Sequence, residues 1–119
     1  MKNLKKVTVN CIITLFSVIF ILISCSKSTV LAPVPTPGAN EVWMQNTTFV
    51  PSVKTVTAGT TIKWINKDNV THDITSNTGD FISPPMGKND SFTYTFNSAG
   101  TYEYKCTFHT TMTGKIIVQ

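Results

Sequence analysis

The sequence predicts an all-β fold, a sandwich of about seven short strands in residues 41–119. Three observations predict it: polar and apolar residues alternate along several segments, β-branched and aromatic residues are concentrated there, and Gly, Asn, Asp and Pro separate the segments. This region lacks the 3.6-residue apolar period of an amphipathic helix. Its length is enough for one modest hydrophobic core, so we expect a single domain.

The first 24 residues have the composition of an export signal. Three lysines precede an apolar stretch over 11–23, and Ser24-Cys25 follows it. The junction 22–25 resembles a bacterial lipobox, in which the cysteine is acylated and becomes the first residue of the mature chain. We therefore predict a lipoprotein signal peptide at 1–24 and lipid attachment at Cys25. An uncleaved anchor is the alternative, although the apolar stretch is shorter than the ~20 residues that span a bilayer.

Residues 25–40 are predicted to be the lipidated Cys25 followed by a tether. Pro33, Pro35 and Pro37 alternate with other residues in this segment. Such a composition favours extended polyproline geometry and a semi-rigid spacer. An ordered first strand at 30–34 is the alternative, and the prolines argue against it because they cannot donate to a sheet.

Seven strands are predicted between residue 41 and the C-terminus, separated by turns of which Ala58-Gly59 and Ala99-Gly100 are the clearest. The alternation in 60–66 places Ile62 and Trp64 in the core, ahead of a polar turn at 66–69. The returning strand then carries His72. The predicted strands lie near 42–46, 53–57, 60–66, 70–76, 91–97, 100–106 and 114–119.

The last predicted strands show which face is buried. Phe92, Tyr94 and Phe96 share one face of their strand, with Ser and Thr on the other. In the following strand, Tyr104 and Cys106 share the inward face. Cys106 is therefore expected to point into the sandwich at the end of a strand, where a thiolate would be costly unless a metal took up its charge.

Charge and cysteine content exclude other classes of protein. The whole chain carries a formal charge of +4, but from Glu41 onward six lysines balance six acids. The basic character belongs mostly to the targeting segment, so we predict no nucleic-acid binding. Of three cysteines, Cys11 lies in the signal and Cys25 would carry lipid, which leaves Cys106 as a lone thiol in an oxidising compartment.

Cys106, His109 and Met112 follow one another at intervals of three residues, and His72 is the only other histidine. Two His, one Cys and one Met are the ligand set of a blue-copper centre, a trigonal His2Cys plane with a weak axial Met. The alternatives are an inert buried cysteine and solvated histidines. Met44 is expected in the core, and Met86 is expected to belong to an apolar loop rather than to the coordination sphere.

Residues 41–119 resemble the cupredoxins, specifically the small plastocyanin-like and amicyanin-like kind. The resemblance runs through Phe49-x-Pro51, Val56-x-x-Gly59-x-x-Ile62-x-Trp64-x-Asn66, Asp68, His72 and Gly100-Thr-Tyr102-x-Tyr104-x-Cys106-x-x-His109-x-x-Met112-x-Gly114-x-Ile116-x-Val118. The two-residue gap between His109 and Met112 is similar to that of amicyanin. The family resemblance implies a Greek-key β-sandwich and one type 1 copper held by His72, Cys106, His109 and Met112.

The resemblance also implies roles for residues around the copper. Asn66 would tie the first-histidine loop to the cysteine loop, and Asp73 stands where the family typically has Asn, its backbone N–H donating to the thiolate. A carboxylate there would lower the reduction potential. His72 would be buried and His109 the ligand at the solvent edge. Tyr102 resembles a tyrosine corner, a structural role. An apolar patch for electron transfer would comprise Phe108, Pro84, Pro85 and Met86.

The leading functional hypothesis is one-electron transport by an envelope-anchored blue-copper protein. We expect a monomer that meets redox protein partners transiently through a small interface and reaches the membrane through its lipid. The alternative is a lipoprotein that binds, sequesters or delivers copper with the same ligands. An enzyme is not predicted, because four protein ligands leave no position for a substrate.

Overall fold

The computed structural model describes residues 32–119, so the predicted signal peptide and Cys25 lie outside the described residues. Within this range, eight strands form two four-stranded sheets, with the orders β2-β1-β4-β6 and β3-β8-β7-β5. The predicted all-β sandwich is confirmed. The strands are β1 (Glu41–Gln45), β2 (Thr48–Val50), β3 (Val53–Val56), β4 (Thr60–Asn66), β5 (Thr75–Ser76), β6 (Ser91–Phe96), β7 (Gly100–Lys105) and β8 (Thr113–Val118). No helix in residues 32–119 is long and apolar enough to cross a membrane.

Strand pairing is mostly antiparallel, and two pairs are parallel. β1 runs parallel to β4, with Glu41 opposite Lys63 and Met44 opposite Asn66. β3 runs parallel to β8 in the other sheet. The remaining pairs, which include β4 with β6 and β7 with β8, are antiparallel.

The core lies between the sheets and is centred on Trp64. Its indole packs at 5.5–6.2 Å between ring centroids against Phe81, Phe92, Phe96 and Tyr104. These residues come from both sheets and from the loop before β6, because alternate side chains of each strand point inward. The predicted inward faces of β4, β6 and β7 are confirmed, and Met44 is fully buried as expected.

The structure differs from the predicted strands in two places. The segment 70–76 forms a strand only at Thr75–Ser76, and His72 makes an isolated bridge to Met86 instead of joining a sheet. An additional short strand, β2, follows β1 after a turn at Asn46 and Thr47, whose φ angles are 54° and 56°. Neither residue is a glycine, and the turn carries no Gly or Pro. Asn46 tolerates this conformation, but Thr47 stands where Gly usually follows, so the Asn-Gly signal of such a hairpin is missing.

Three loops gather at one end of the sandwich: 67–74 after β4, 83–90 before β6, and 106–112 between β7 and β8. We call this the loop end. β4 and β7 both run toward it, and β6 and β8 start from it. At the opposite end, the N–H of Gly59 donates to Phe96 O at 2.7 Å and the N–H of Ala58 donates to Gln119 O at 2.9 Å. The left-handed φ of 87° at Gly59 suits the residue that lacks a Cβ.

The tyrosine corner expected at Tyr102 is present. Its hydroxyl donates to the backbone carbonyl of Ser98 at 3.0 Å, across the turn that leads into β7. The bond fixes the start of the strand that delivers Cys106 to the loop end.

Candidate metal centre

Three donor atoms from distant parts of the sequence converge at the loop end. The Sγ atom of Cys106 lies 3.7 Å from Nδ1 of His72 and 3.6 Å from Nδ1 of His109, and the two Nδ1 atoms are 3.1 Å apart. They form the only group of three or more His, Cys, Asp or Glu side chains in residues 32–119 arranged to hold a metal ion. The predicted histidine and cysteine donors are thus brought together.

The size of this triangle fits a metal ion. The point equidistant from the three atoms lies about 2 Å from each, close to the roughly 2.0–2.3 Å bonds that imidazole nitrogen and thiolate sulfur make to zinc. One soft sulfur and two imidazoles form the trigonal plane that copper takes in electron-transfer sites. The donor set and its spacing therefore both fit copper.

His72 is held by the backbone on each side of its loop. Its N–H donates to Met86 O at 3.1 Å, and its carbonyl accepts from the Met86 N–H at 2.8 Å. The side chain is fully buried. This pair of bonds joins loop 67–74 to loop 83–90, which explains why His72 can keep a fixed position without belonging to a strand.

Cys106, His109 and Met112 lie on one tight loop. The N–H of Cys106 donates to Met112 O at 3.0 Å, and the N–H of Met112 donates to His109 O at 2.9 Å. These bonds fold the loop back on itself and bury Met112, which is 2% exposed. His109 is half-buried, as the solvent-edge position requires. The short spacing of three residues thus places Sγ of Cys106 3.6 Å from Nδ1 of His109, with Met112 buried on the same loop.

Cys106 is the only cysteine in residues 32–119, and its thiol is fully buried. Burial raises the pKa of Cys106 above its usual value, because the thiolate loses its hydration. The backbone N–H groups of Asp73, Phe108 and His109 oppose this rise by stabilising the negative sulfur. A cation at the centre of the triangle would supply the remaining compensation.

Asp73 links loop 106–112, which carries Cys106, to β5. Its Oδ1 accepts from the Thr107 N–H at 2.6 Å, and its Oδ2 accepts from the hydroxyls of Thr107 at 2.7 Å and Thr75 at 3.1 Å. Burial tends to raise the pKa of this carboxyl, but the hydrogen bonds outweigh burial and hold the pKa below its usual value. Asp73 is therefore ionised beside the thiol at neutral pH.

Asn66 does not make the link to the cysteine loop that we expected. Its Nδ2 donates to Val70 O at 2.8 Å and Met86 O at 2.9 Å, and its Oδ1 accepts from the Asp68 N–H at 2.8 Å. These bonds shape loop 67–74 and join it to loop 83–90. The link to the cysteine loop comes from Asp73, because its side chain points across to Thr107.

The expected apolar patch is only partly formed. Phe108 is 53% exposed, and Pro84 and Pro85 are exposed in loop 83–90. Met86, by contrast, is 2% exposed and packs in the core, so it was wrongly assigned to a docking surface. Its backbone pairing with His72 turns the side chain inward. Val70 in loop 67–74 is 48% exposed and adds an apolar residue that the sequence analysis missed.

Another contact that the sequence analysis missed involves Asp68. Its Oδ2 lies 2.9 Å from Nε2 of His72, on the side of the imidazole facing away from the other donors. The residue stands four positions before His72 in a loop, and loop residues have no fixed period that predicts which side chains meet. Its identity as an acid was visible in the sequence, but its partner was not.

Comparisons with known proteins agree with this geometry. The family described as the cupredoxin-like domain matches residues 13–118. Amicyanin of Paracoccus versutus is 32% identical over 104 residues, which are 83% of this chain and 78% of that protein. The solved structure of a Cu(I) form of an amicyanin variant superposes with a TM-score of 0.65 at 30% identity, over 71% of this chain and 86% of that one.

An enzyme also appears among the structural neighbours. The copper-containing nitrite reductase of Thermus scotoductus SA-01 superposes with a TM-score of 0.63 at 28% identity, over 75% of this chain but only 23% of that one. The likeness is therefore to one part of the larger protein. By sequence, fold and donor set, the chain belongs to the cupredoxin-like family as a small blue-copper protein with one type 1 copper as its cofactor.

Proposed function

We propose that this protein carries single electrons between redox partners in the bacterial cell envelope, to which the lipid on Cys25 anchors it. The observation that carries the proposal is the triangle of His72, Cys106 and His109 at one end of a rigid sandwich, with one ligand edge reaching solvent. Amicyanin-type cupredoxins are copper electron carriers, and the family likeness supports the same role here.

Copper, when bound, supplies the one-electron redox change. The chain's residues would hold it through Nδ1 of His72, Nδ1 of His109, Sγ of Cys106 and the thioether of Met112. The buried backbone bonds of His72 and the closed loop 106–112 hold the donors in place. A fixed donor set favours fast electron transfer, because little has to move when the charge of the site changes.

His109 gives the route to a partner. It is half-buried and lies next to Phe108, which is 53% exposed. Pro84, Pro85 and Val70 add exposed apolar surface in the neighbouring loops. Small, weakly apolar patches suit the brief encounters of redox proteins. Because the domain is neutral from Glu41 onward, we expect little electrostatic steering by the whole molecule.

We propose a carrier rather than an enzyme, because all four donors come from the chain and leave no position for a substrate. The nitrite reductase neighbour does not alter this, since the likeness covers only 23% of that enzyme. The location is also proposed: an export signal at 1–24, lipidated Cys25 and the tether to residue 40 would keep the monomeric domain 41–119 beside the membrane. The alternative function is storage or delivery of copper by the same lipoprotein, and spectroscopy with voltammetry distinguishes it from electron transport.

The test is the visible absorption spectrum and voltammetry of the copper-loaded full chain. We expect an intense charge-transfer band from the thiolate–Cu(II) bond and a reversible one-electron wave. Cys106→Ser should remove both while the β-sandwich stays folded by circular dichroism. Cys25→Ser is the matched control, because it removes a different thiol and should keep the band. A wild-type protein that binds Cu(I) tightly but shows neither band nor wave would indicate copper delivery instead.

A further inference from the structure

The carboxylate of Asp68 joins the buried His72 to the turn between β1 and β2. Its Oδ2 lies 2.9 Å from Nε2 of His72. Its Oδ1 accepts from the Asn46 N–H at 2.8 Å, and its Oδ2 accepts from the Thr47 N–H at 2.9 Å. One side chain therefore connects the β1–β2 turn to an imidazole that faces the metal centre.

The chemistry of the two partners fixes the direction of the His72 bond. Both oxygens of the Asp68 carboxylate already accept from backbone N–H groups, so this group acts as an acceptor and Nε2 of His72 must carry the hydrogen. A neutral imidazole with its hydrogen on Nε2 has its lone pair on Nδ1. That atom faces Sγ of Cys106 at 3.7 Å and Nδ1 of His109 at 3.1 Å. The bond to Asp68 thus makes the correct nitrogen of His72 available as a donor.

The turn that holds Asp68 is itself unusual. Asn46 and Thr47 have φ angles of 54° and 56°, in the left-handed region that a β-branched residue such as Thr rarely adopts. In this conformation both N–H groups point at the carboxylate. The two bonds satisfy these donors and, in return, hold the carboxylate against His72.

The carboxylate of Asp68 is held by three contacts, from the N–H groups of Asn46 and Thr47 and from Nε2 of His72. Its side chain is 15% exposed and that of His72 is fully buried. Hydrogen bonds to an ionised acceptor are shorter and stronger than neutral ones. A carboxylate on the outer nitrogen also makes an imidazole a better donor to a metal.

We propose that Asp68 is a positioning residue of this site, which selects the Nε2–H tautomer of His72 and ties its ring to the β1–β2 turn. The effect on copper rests on the proposed function, whereas the tautomer belongs to the chain alone. The two parts can therefore be tested separately.

The first test is ¹⁵N NMR of the imidazoles in the metal-free full chain at a pH where histidine is neutral. In the wild type, His72 should show the Nε2–H tautomer and a slowly exchanging Nε2 proton. Asp68→Ala should lose that proton signal and give a mixture of tautomers, and Asp68→Glu should restore the wild-type pattern in part. If Asp68→Ala fails to fold, Asp68→Asn provides the same comparison, because its amide can no longer accept all three hydrogen bonds.

Asp90→Asn is the matched control. Asp90 also lies at the loop end and caps a backbone N–H, that of Gly87 at 2.8 Å, but it makes no hydrogen bond to His72 among the described residues. It should leave the tautomer unchanged. Finding His72 as the Nδ1–H tautomer in the wild type, or as a fixed Nε2–H tautomer in both Asp68→Ala and Asp68→Asn, would overturn the proposal.

The second test measures copper. Loss of a carboxylate behind a ligating histidine typically weakens metal affinity about 10- to 100-fold, so Asp68→Asn should show a loss of this size and Asp90→Asn none. The reduction potential of Asp68→Asn should rise, because the oxidised state loses the stronger donor. An equal shift in both variants would mean that only the net charge matters, which contradicts a positioning role. If the wild type shows the expected tautomer but its copper-loaded form lacks the visible charge-transfer band, the proposed function is wrong and the role of Asp68 in selecting the tautomer still holds.

Discussion

At the scale of single residues, the site depends on side chains that surround the four expected donors. Asp73 fastens Thr107 and with it the loop that carries Cys106 and His109, while Asp68 bonds to the far nitrogen of His72. Both carboxylates are ionised, because hydrogen bonds hold their pKa values below the usual range. Two negative charges beside the centre favour the more positive copper state, so both residues are expected to lower the reduction potential.

The axial role of Met112 gives a prediction at this scale. Met112→Leu should keep the blue colour but raise the potential, because a donor that stabilises Cu(II) is lost, and Met112→Gln should lower it, because a harder and stronger donor replaces the thioether. The potentials are measured by voltammetry. Met44→Leu is the control, since Met44 is an equally buried core residue of β1 and a Leu-for-Met exchange usually costs less than about 1.5 kcal/mol. Equal potentials in all variants would exclude Met112 as a ligand.

At the scale of the elements, β7 connects the packing of the core to the site. Tyr102 donates its hydroxyl to Ser98 O at the start of the strand, Tyr104 fills the core, and Cys106 follows at the loop end. Gly114 of β8 lies under the ring of Tyr104, and a Cβ there would be 2.4 Å from its Cζ. A residue with a Cβ would collide with Tyr104 here, so glycine is needed for β8 to pair with β7 directly after loop 106–112.

The two tyrosines of β7 give a matched prediction. The hydroxyl of Tyr104 is buried without a hydrogen-bond partner in residues 32–119, whereas that of Tyr102 is bonded. Removing a bonded hydroxyl costs about 1 kcal/mol, and removing an unpaired buried one is nearly neutral or stabilising. In denaturant unfolding of the metal-free protein, Tyr102→Phe should therefore lower the free energy of unfolding and Tyr104→Phe should not. The reverse order would show that the Tyr104 hydroxyl has a partner in solution.

Tyr104 also predicts how stability depends on alkaline pH. Burial raises its pKa to about 12, because the ionised phenolate would lose its hydration. The unfolded tyrosine ionises near its ordinary pKa of about 10. The stabilising contribution is thus complete below about pH 10 and declines as the pH rises toward 12, because ionisation then favours the unfolded chain. The free energy of unfolding of Tyr104→Phe should decline less over this interval than that of the wild type.

At the scale of the whole molecule, the start of the domain and the metal centre lie on different segments. The chain enters β1 at Glu41, whose Oε2 accepts from the N–H of Gly38 and from Nε1 of Trp43, each at 3.1 Å. β1 then runs parallel to β4 toward the loop end. The predicted tether would therefore join the domain at the start of β1, whereas His109 lies on the loop that follows β7.

The anchor gives the prediction at this scale. Cys25→Ser should leave the precursor without lipid and move the protein from the detergent phase to the aqueous phase, because buried acyl chains contribute roughly 0.8 kcal/mol per CH₂ to membrane binding. The partition of the full chain is followed by immunoblot after phase separation. Cys11→Ser is the control and should stay in the detergent phase. An unchanged partition of Cys25→Ser with an intact N-terminus would point to an uncleaved anchor.

The sequence by itself determined the features that depend on local pattern. Alternation along β4, β6 and β7 placed Trp64, Phe96 and Tyr104 in the core, and the spacing from Cys106 to Met112 placed three donors on one short loop. Both are short-range properties of the chain. A strand has a period of two, and the seven residues of a tight loop leave few paths for the backbone.

The tertiary structure alone decided which side chains meet across loops. His72 was expected in a strand but lies in a loop held by Met86, and that pairing also buries Met86, which was expected at the surface. Asn66 turned toward Val70 and Met86, while Asp73 reached the cysteine loop and Asp68 reached His72. The direction of a loop side chain follows from contacts between segments far apart in sequence, and no local period records them.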